Sequence, residues 1–281
     1  DPLKLLLGAR LDWYDYDNRT GSGSYSVPHN LTRYLGVTYD LDQHHTVYAS
    51  FTDIFNPQSS KGMDGSILKP VVGENYEVGV KGEYFGGTLN WSAALFEIRQ
   101  KNRARLMDDQ TGCPQEYCYE ATGLVRTRGI DVEVQGAITP RWQLGGGLTY
   151  AEDRYVTDAN AANVGKRVST YRPLATLKLS TMYRFGGDWN RWRVGGALYW
   201  QSRMYAGGTT AGRAWHSEQG AYAVADLTVG YEPIKNLDVQ LNITNLFDKT
   251  YRRAIGVNSG WGSTNIYGEP RKIKLTARYR F

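Results

Sequence analysis

Ile130-Asp131-Val132-Glu133-Val134-Gln135 alternates apolar and polar side chains without a slip, and Asp238-Val239-Gln240-Leu241-Asn242-Ile243 does the same further along the chain. A period of two places successive side chains on opposite faces of an extended strand, so each stretch has one greasy face and one wet face. Working outward from these two, the same pattern marks about twelve segments: 3–16, 31–41, 46–55, 74–84, 88–99, 125–138, 143–153, 172–185, 193–204, 220–232, 237–247 and 269–281. Each is near the roughly ten residues that a tilted strand needs to cross a bilayer. A soluble β-sandwich would show the same alternation, because its strands also bury one face.

The connections decide between the two. Those at 17–30, 56–73, 100–124, 154–171, 205–219 and 248–268 are long, and those at 42–45, 85–87, 139–142, 186–192 and 233–236 are short. Long and short alternate along the whole chain, which in an up-and-down meander puts every long loop at one end and every tight turn at the other, the asymmetry of outer-membrane barrels. Greek-key sandwiches scramble that order. The expected fold is therefore all-β, a transmembrane antiparallel up-and-down β-barrel forming one unit over residues 1–281.

Composition agrees. The 281 residues include 21 Tyr, 8 Trp, 7 Phe and 32 Gly against 4 Met, which favours pleated, turn-rich structure over helix. Mean hydropathy is −0.51 and no run approaches a membrane-spanning helix. The formal charge of +5 comes from scattered Lys and Arg, which argues against a nucleic-acid partner. Trp13, Tyr39, Trp91, Tyr183, Tyr231 and Tyr279 fall near segment ends on the greasy face, where amphipathic rings settle at headgroup level. The chain opens on Asp-Pro-Leu-Lys and runs at once into a strand pattern, which suggests a piece of a longer protein.

Asn242-Ile-Thr-Asn245-Leu246-Phe247-Asp248-Lys249-Thr250-Tyr251, followed by Tyr267-Gly-Glu-Pro270-Arg271 and a closing strand to Phe281, resembles the C-terminal signature of TonB-dependent outer-membrane receptors. Tyr48 to Gln58, Asn75 to Gly82, Ala94 to Ile98 with Asn102-Arg-Ala104, and Gly195 to Gln201 resemble the ferric-siderophore branch, closest in look to ferric-coprogen and ferric-pyoverdine receptors. The resemblance implies an importer of a ferric siderophore in the outer membrane of a Gram-negative bacterium, energised by the TonB-ExbB-ExbD complex. It further implies that about twelve strands are the second half of a 22-stranded plugged barrel, with plug and first half outside this chain. A half barrel alone would leave two unpaired edges in lipid, so either the rest of the protein lies elsewhere, the favoured reading, or the twelve strands close on themselves. An aromatic pair that follows the segment matching Asn56-Pro57-Gln58 in the pyoverdine receptor is replaced here by Ser59-Ser60-Lys61, which argues against an identical ligand.

Capture of a bulky siderophore needs flat side chains where long loops meet strand tops. The candidates are Gln201, Arg203, Tyr205, Trp215, Trp261 and Tyr267, with Tyr14, Tyr16, Tyr117 and Tyr119 beside them. An aromatic at that height also serves in the headgroup girdle or packs its own loop. Gln201, Arg203 and Tyr205 share a parity opposite to Val194, Leu198 and Trp200, which would turn all three to the lumen. Cys113 and Cys118 read as one disulfide in an extracellular loop; as a metal pair they lack a nearby His, since His29, His44, His45 and His216 lie on other connections. His44 and His45 fall on a short turn at the far end and read as solvated. Tyr279 and Phe281 close the chain in the manner of a barrel-assembly signal, read by the assembly machinery.

Lumen-parity charges such as Asp12, Lys81, Glu133, Asp226 and Lys274 suit a polar plug. Loop cations Arg19, Lys61, Arg103, Arg105, Arg154, Lys166, Arg167, Arg252 and Arg253 are candidates to bridge lipopolysaccharide phosphates. No catalytic set, resident metal or cofactor is expected. The alternatives are a passive porin, which leaves the Asn-x-x-Asn-Leu-Phe-Asp stretch unexplained, and a barrel hydrolase, whose Ser-His-Asp set the sequence does not supply.

Overall fold

The computed structural model of the chain describes residues 1–17, 24–107, 109–114, 117–210, 213–256 and 264–281. In chain order the strands are β1 (Leu3–Tyr16), β2 (Tyr25–Asp40), β3 (His45–Asn56), β4 (Val71–Tyr84), β5 (Leu89–Lys101), β6 (Ala104–Leu106), β7 (Tyr119–Ala121), β8 (Leu124–Thr139) and β9 (Trp142–Tyr155). They continue with β10 (Ala175–Arg184), β11 (Trp192–Gln201), β12 (Met204–Thr210), β13 (Arg213–Gln219), β14 (Tyr222–Ile234), β15 (Leu237–Thr244), β16 (Arg252–Ile255), β17 (Asn265–Tyr267) and β18 (Lys272–Tyr279). Twelve of them form one antiparallel wall in the order β1-β2-β3-β4-β5-β8-β9-β10-β11-β14-β15-β18, the expected meander. β1 and β18 end that order and are not paired with one another, so the wall is an open one. The other six form three separate hairpins, β6–β7, β12–β13 and β16–β17, each inside a long connection.

Register turns the alternation of each strand into continuous rows. One row runs Leu3, Tyr39, Val47, Val80, Ala93, Val132, Leu148, Leu177, Trp200, Ala223 across ten strands. The row offset by one residue runs Lys4, Thr38, Tyr48, Gly79, Ala94, Asp131, Thr149, Thr176, Gln201, Tyr222 on the opposite face. The second face is concave over β8 to β15, where Glu133, Gln135, Lys178, Ser180, Tyr199, Asp226 and Asn242 line a trough of about 1420 Å³. The apolar face is thus the outer one. Leu3, Leu5, Leu7 and Leu275 on it are 60 to 73% exposed, which in water would be prohibitive and in hydrocarbon is favourable.

Polar side chains on the inner face pair with one another across strands. Lys4 meets Asp40 at 2.7 Å, the Tyr48 hydroxyl donates to Glu77 at 2.6 Å, Thr149 donates to Asp131 at 2.6 Å, and Arg193 grips Asp238 at 2.6 and 2.9 Å. The tight turns have local causes. Asp42 accepts the backbone N–H groups of His44 and His45, Phe85-Gly86-Gly87 all carry positive φ, and Lys235-Asn236 closes a two-residue hairpin with Asn236 at φ 72°. Gly136, just before the register shift at Ala137 to Thr139, has φ 140°, and a Cβ there would meet the Thr88 carbonyl oxygen at 1.9 Å.

Several strand ends shift by up to three residues from the sequence pattern and the start of β2 by six, and two of these departures have a local cause. β2 begins at Tyr25 and not at 31, because Pro28 and His29, the latter at φ 63°, form an irregularity opposite Asp12 to Tyr14 that breaks the alternation without ending the pairing. β11 stops at Gln201 and does not reach 204, because the Ser202 N–H donates to the Ala175 carbonyl and the Ser202 hydroxyl takes the Ala175 N–H, after which the chain leaves the wall. The 205–219 connection is therefore mostly a hairpin, β12–β13, whose own alternation continues that of β11 and hides the break.

Candidate ligand-binding site

The long connections are sewn together above the wall. Met204, Ala206 and Ile255 form the apolar cluster that joins β12–β13 to β16–β17, with Trp215 packed against it. Around it the Ser217 hydroxyl donates to Asn265 at 3.0 Å, the Arg252 N–H donates to Gln219 at 2.8 Å, and the Arg252 guanidinium donates to the Glu218 carbonyl at 2.8 Å. The Tyr205 N–H donates to the Thr170 carbonyl at 2.9 Å, fastening this unit to the 156–174 connection. That connection is held in turn by Arg103, which reaches Asp153 and Ser169 from the start of β6. Gln58 donates to the Asn102 and Lys69 carbonyls, and the Tyr119 N–H donates to the Lys61 carbonyl, which ties 57–70 to β6–β7. Among the described residues, the rim from 57 to 267 is one hydrogen-bonded assembly.

Cys113 and Cys118 are bonded at the tip of the β6–β7 connection, with Cα atoms 5.8 Å apart. The Gln110 side chain braces them: its amide donates to the Met107 and Cys118 carbonyls and its oxygen accepts the Cys118 N–H. In the same connection Asp109 has its carboxyl held below the usual range by Thr111, whose hydroxyl and backbone both donate to it.

Alternation inside the β12–β13 hairpin splits the expected ligand residues. Met204, Ala206, Trp215 and Ser217 face the loop core, while Arg203, Tyr205, His216 and Glu218 share the open face. On that face the Arg203 guanidinium lies 2.7 Å from Glu218 and 5.1 Å over the Tyr205 ring, and His216 Nε2 is 3.3 Å from Glu218. Trp215 belongs to the packing and Tyr205 to the exposed cluster. Tyr267 stands at the rim, 58% exposed, with Arg252 over its ring at 6.0 Å. Trp261 and Arg19 lie outside the described residues.

Gln201 keeps the inner-face parity read from the sequence, but Arg203 and Tyr205 do not continue it, because both follow the break at Ser202. Gln201 is also closed off. At 2% exposure it accepts hydrogen bonds from the Tyr199 and Tyr222 hydroxyls, at 2.9 and 3.0 Å, and Tyr251 lies against Tyr222 at 4.5 Å. This tyrosine cluster at the top of the trough was missed. Tyr199 was legible from parity with Gln201, whereas Tyr222 joins it only through register. A second inner-face cluster, Tyr14, Tyr16 and Tyr25, stands at the first edge with ring centroids 5.7 and 5.9 Å apart, and Tyr25 hydrogen-bonds the Gln58 backbone.

The Asn-x-x-Asn-Leu-Phe-Asp stretch makes a latch. Asn245, at φ 50° and 3% exposed, donates to the Lys249 and Glu269 carbonyls at 2.9 and 3.0 Å and accepts the Lys249 N–H at 2.8 Å. Asp248 accepts the Arg271 N–H at 2.9 Å. The two side chains hold the entry of β18 against the end of β15, and the family profile described as "TonB dependent receptor-like, beta-barrel" matches residues 1–246. The chain belongs to the TonB-dependent receptor β-barrel family. It is 36% identical over its whole length to the ferric-pyoverdine receptor PbuA of Pseudomonas sp., covering 34% of that protein, and 28% identical to the ferrichrome outer membrane transporter/phage receptor of Escherichia coli, covering 36%. In structure it matches the ferripyoverdine receptor of Pseudomonas aeruginosa bound to ferripyoverdine with a TM-score of 0.84 at 33% identity, over 99% of this chain and 36% of that one. The chain spans about a third of the length of these relatives. They are outer-membrane transport receptors and not enzymes, so the hydrolase alternative falls away, and the chain is an outer-membrane barrel segment.

Proposed function

We propose that the protein carrying this chain captures a ferric siderophore at its extracellular rim and imports it with energy delivered through TonB, ExbB and ExbD. Residues 1–281 supply twelve barrel strands, and the rest of the polypeptide supplies the plug and the remaining strands of a 22-stranded wall, which gives partners to the open edges of β1 and β18. The single observation that carries this reading is the stitched rim. Long connections in a passive pore need only stay clear of the channel, whereas these build a fixed, aromatic-bearing vestibule over a trough lined by Tyr199, Asp226, Tyr251 and Arg253. The relatives named for ferric pyoverdine and ferrichrome support it. Within the vestibule, Arg203 and Tyr205 offer a cation and a flat ring side by side, with Tyr267 across the rim, while Gln201 and Trp215 act indirectly by holding Tyr222 and the hairpin in place. Tyr279 and Phe281, rings edge-on at 5.2 Å, form the terminal signal read by the barrel-assembly machinery. Outer-membrane lipid, including lipopolysaccharide, surrounds the wall.

The test uses the full-length receptor with ferric pyoverdine as probe. Arg203→Ala with Tyr205→Ala is expected to weaken binding about tenfold, or about 1.4 kcal/mol, with heat-resistant barrel migration on a gel unchanged. Undiminished binding by that folded double variant would reject these two residues as ligand contacts. Failure of the wild-type receptor to bind or import any ferric siderophore would reject the function.

A further inference from the structure

The open face of the β12–β13 hairpin carries its own counter-ion. Tyr205 stands directly opposite Glu218 and Gly207 opposite His216, so a period of two gathers Arg203, Tyr205, His216 and Glu218 on the side away from the Met204, Ala206 and Ile255 cluster. Arg203 Nε lies 2.7 Å from Glu218 Oε1, and Arg203 Nη2 donates to Glu218 Oε2 at 3.1 Å, so one edge of the guanidinium holds both carboxylate oxygens. The Tyr205 ring lies 5.1 Å beneath that guanidinium and 6.2 Å from the His216 ring. The cation offered to a ligand is therefore already paired, and its charge is cancelled on the spot.

Glu218 is a replaceable partner for three reasons. The pair is open to water, with side chains of Arg203 and Glu218 58 and 38% exposed, and an exposed ion pair shifts an equilibrium by no more than about fivefold. Arg203 keeps its place without the carboxylate, because the Tyr205 ring supports it, the Tyr205 N–H is bound to the Thr170 carbonyl, and Ser202 just before it is pinned by two bonds to Ala175. Glu218 also has somewhere to turn. His216 Nε2 lies 3.3 Å from Glu218 Oε2, so a carboxylate released by Arg203 keeps a polar neighbour. The backbone of Glu218 is fastened separately, through the Arg252 guanidinium that donates to its carbonyl at 2.8 Å, and the side chain can swing without loosening the hairpin.

We propose that Glu218 is a resident stand-in for a carboxylate of the ligand: a carboxylate-bearing ferric siderophore takes over the occupied edge of Arg203, and Glu218 turns to His216 and water. A planar anion with two oxygens matches the guanidinium fork and can replace Glu218, whereas an amide or a hydroxyl, lacking the charge, cannot outcompete a bidentate carboxylate. Glu218 thus sets a threshold that the ligand's anionic group must exceed, which makes it a specificity-determining residue that lowers affinity. This role rests on the import reading and on Arg203 meeting the ligand, and it fixes the chemical class of the group that Arg203 meets.

The experiment titrates full-length receptor with a ferric siderophore that bears a free carboxylate and supports uptake by wild type, ferric pyoverdine first, and with the same complex after its free carboxyl groups are converted to amides. Glu218→Gln keeps the length of the side chain and removes its charge. It is expected to bind the acid form about three- to fivefold more tightly than wild type does, and the amide form with unchanged affinity. In Arg203→Ala the two forms should bind alike, and adding Glu218→Gln there should change nothing. An unchanged Kd for the acid form in Glu218→Gln overturns the proposal, and so does a weaker one, which would mark Glu218 as a brace for Arg203. Equal tightening of both forms, or tightening that persists without Arg203, overturns it as a general effect of removing a negative charge from the rim. Should Glu218→Gln lose its heat-resistant migration, wild type and Arg203→Ala decide alone: a preference for the acid form that survives in Arg203→Ala overturns the assignment, and one that vanishes supports it. A wild-type receptor that takes up only complexes without a free carboxylate also overturns it, whereas one that takes up no ferric siderophore rejects the import reading itself.

Discussion

Replacing Asn245 by Ala isolates what the latch contributes. The side chain makes three hydrogen bonds to backbone groups of Lys249 and Glu269, and the backbone holds φ 50°. Lys249 and Glu269 are exposed, so water reaches part of what is orphaned, and about 1 kcal/mol for each lost bond is the appropriate figure. A non-Gly residue without a local hydrogen-bonding side chain costs about 1 kcal/mol more in the left-handed region. The expected loss is about 4 kcal/mol for Asn245→Ala and about 3 kcal/mol for Asn245→Gly, since glycine removes the strain but none of the bond loss. Asn245→Asp keeps the acceptor for the Lys249 N–H but turns two donor contacts into carboxylate-to-carbonyl repulsion, beside an Asp226 that already accepts the Asn245 N–H, so it should be no better than Ala. The assay is urea unfolding of the full-length receptor refolded into lipid vesicles, followed by the loss of heat-resistant migration. An Ala variant within 0.5 kcal/mol of wild type, or a Gly variant less stable than Ala, would refute the latch argument; the threshold is well below one hydrogen bond.

Other consequences are narrower. Cys113→Ser with Cys118→Ser opens a short loop whose closure is worth about 2 kcal/mol, so proteolysis within 107–119 should accelerate while the wall stays intact; equal cleavage would show that Gln110 alone holds the tip. Met204→Ala should cost about 2 to 4 kcal/mol locally and lower hydrogen-exchange protection of β12–β13 and β16–β17 together, and a drop confined to one hairpin would contradict a shared core. At the opposite end, Asp42 is held below its ordinary value of 3.8, first by the His45 ring and then by the backbone N–H of His44. A depressed carboxylate contributes stability that is present above the ordinary value and lost as pH falls through the folded one. Thermal unfolding of wild type and Asp42→Asn should therefore differ at neutral pH and converge in acid; a gap that widens in acid has the wrong sign.

The strands were legible because lipid and lumen impose opposite polarity on every residue, and register propagates one clear strand to its neighbours. What was not legible has particular causes. Tyr25 to His29 reads as loop because Pro28 and a bulge interrupt the alternation, yet Tyr25 still pairs with Tyr16. Met204 and Tyr205 read as a continuation of β11 because a rim hairpin alternates with the same period as the wall; only Ser202 and its two bonds to Ala175 mark the exit. Gln201, Arg203 and Tyr205 thus read as sharing one face, whereas the exit at Ser202 gives Arg203 and Tyr205 a face of their own on the β12–β13 hairpin. Of the nine loop cations expected to meet lipid, Arg103 lies on Asp153, Arg105 on Glu120 and Arg252 on the Glu218 carbonyl, all within the rim, while Arg154 belongs to β9 and has outer-face parity.

The distribution of buried apolar surface explains why the rim is the ordered part of the extracellular side. In a soluble β-protein the core lies between sheets, but here the wall turns its apolar residues outward, and the apolar cluster found among the described residues, Met204, Ala206 and Ile255 with Trp215, lies in the connections. Long connections without such a cluster would need to be ordered by the ligand itself, and each side chain immobilised on binding would cost about 0.5 to 1.5 kcal/mol of affinity. Bonds from Tyr205 to Thr170, Arg103 to Asp153 and Gln58 to Asn102 fix that order beforehand. A rim ordered during folding keeps the Arg203 guanidinium and the Tyr205 ring in place before any ligand arrives, so that ordering cost is not charged to binding.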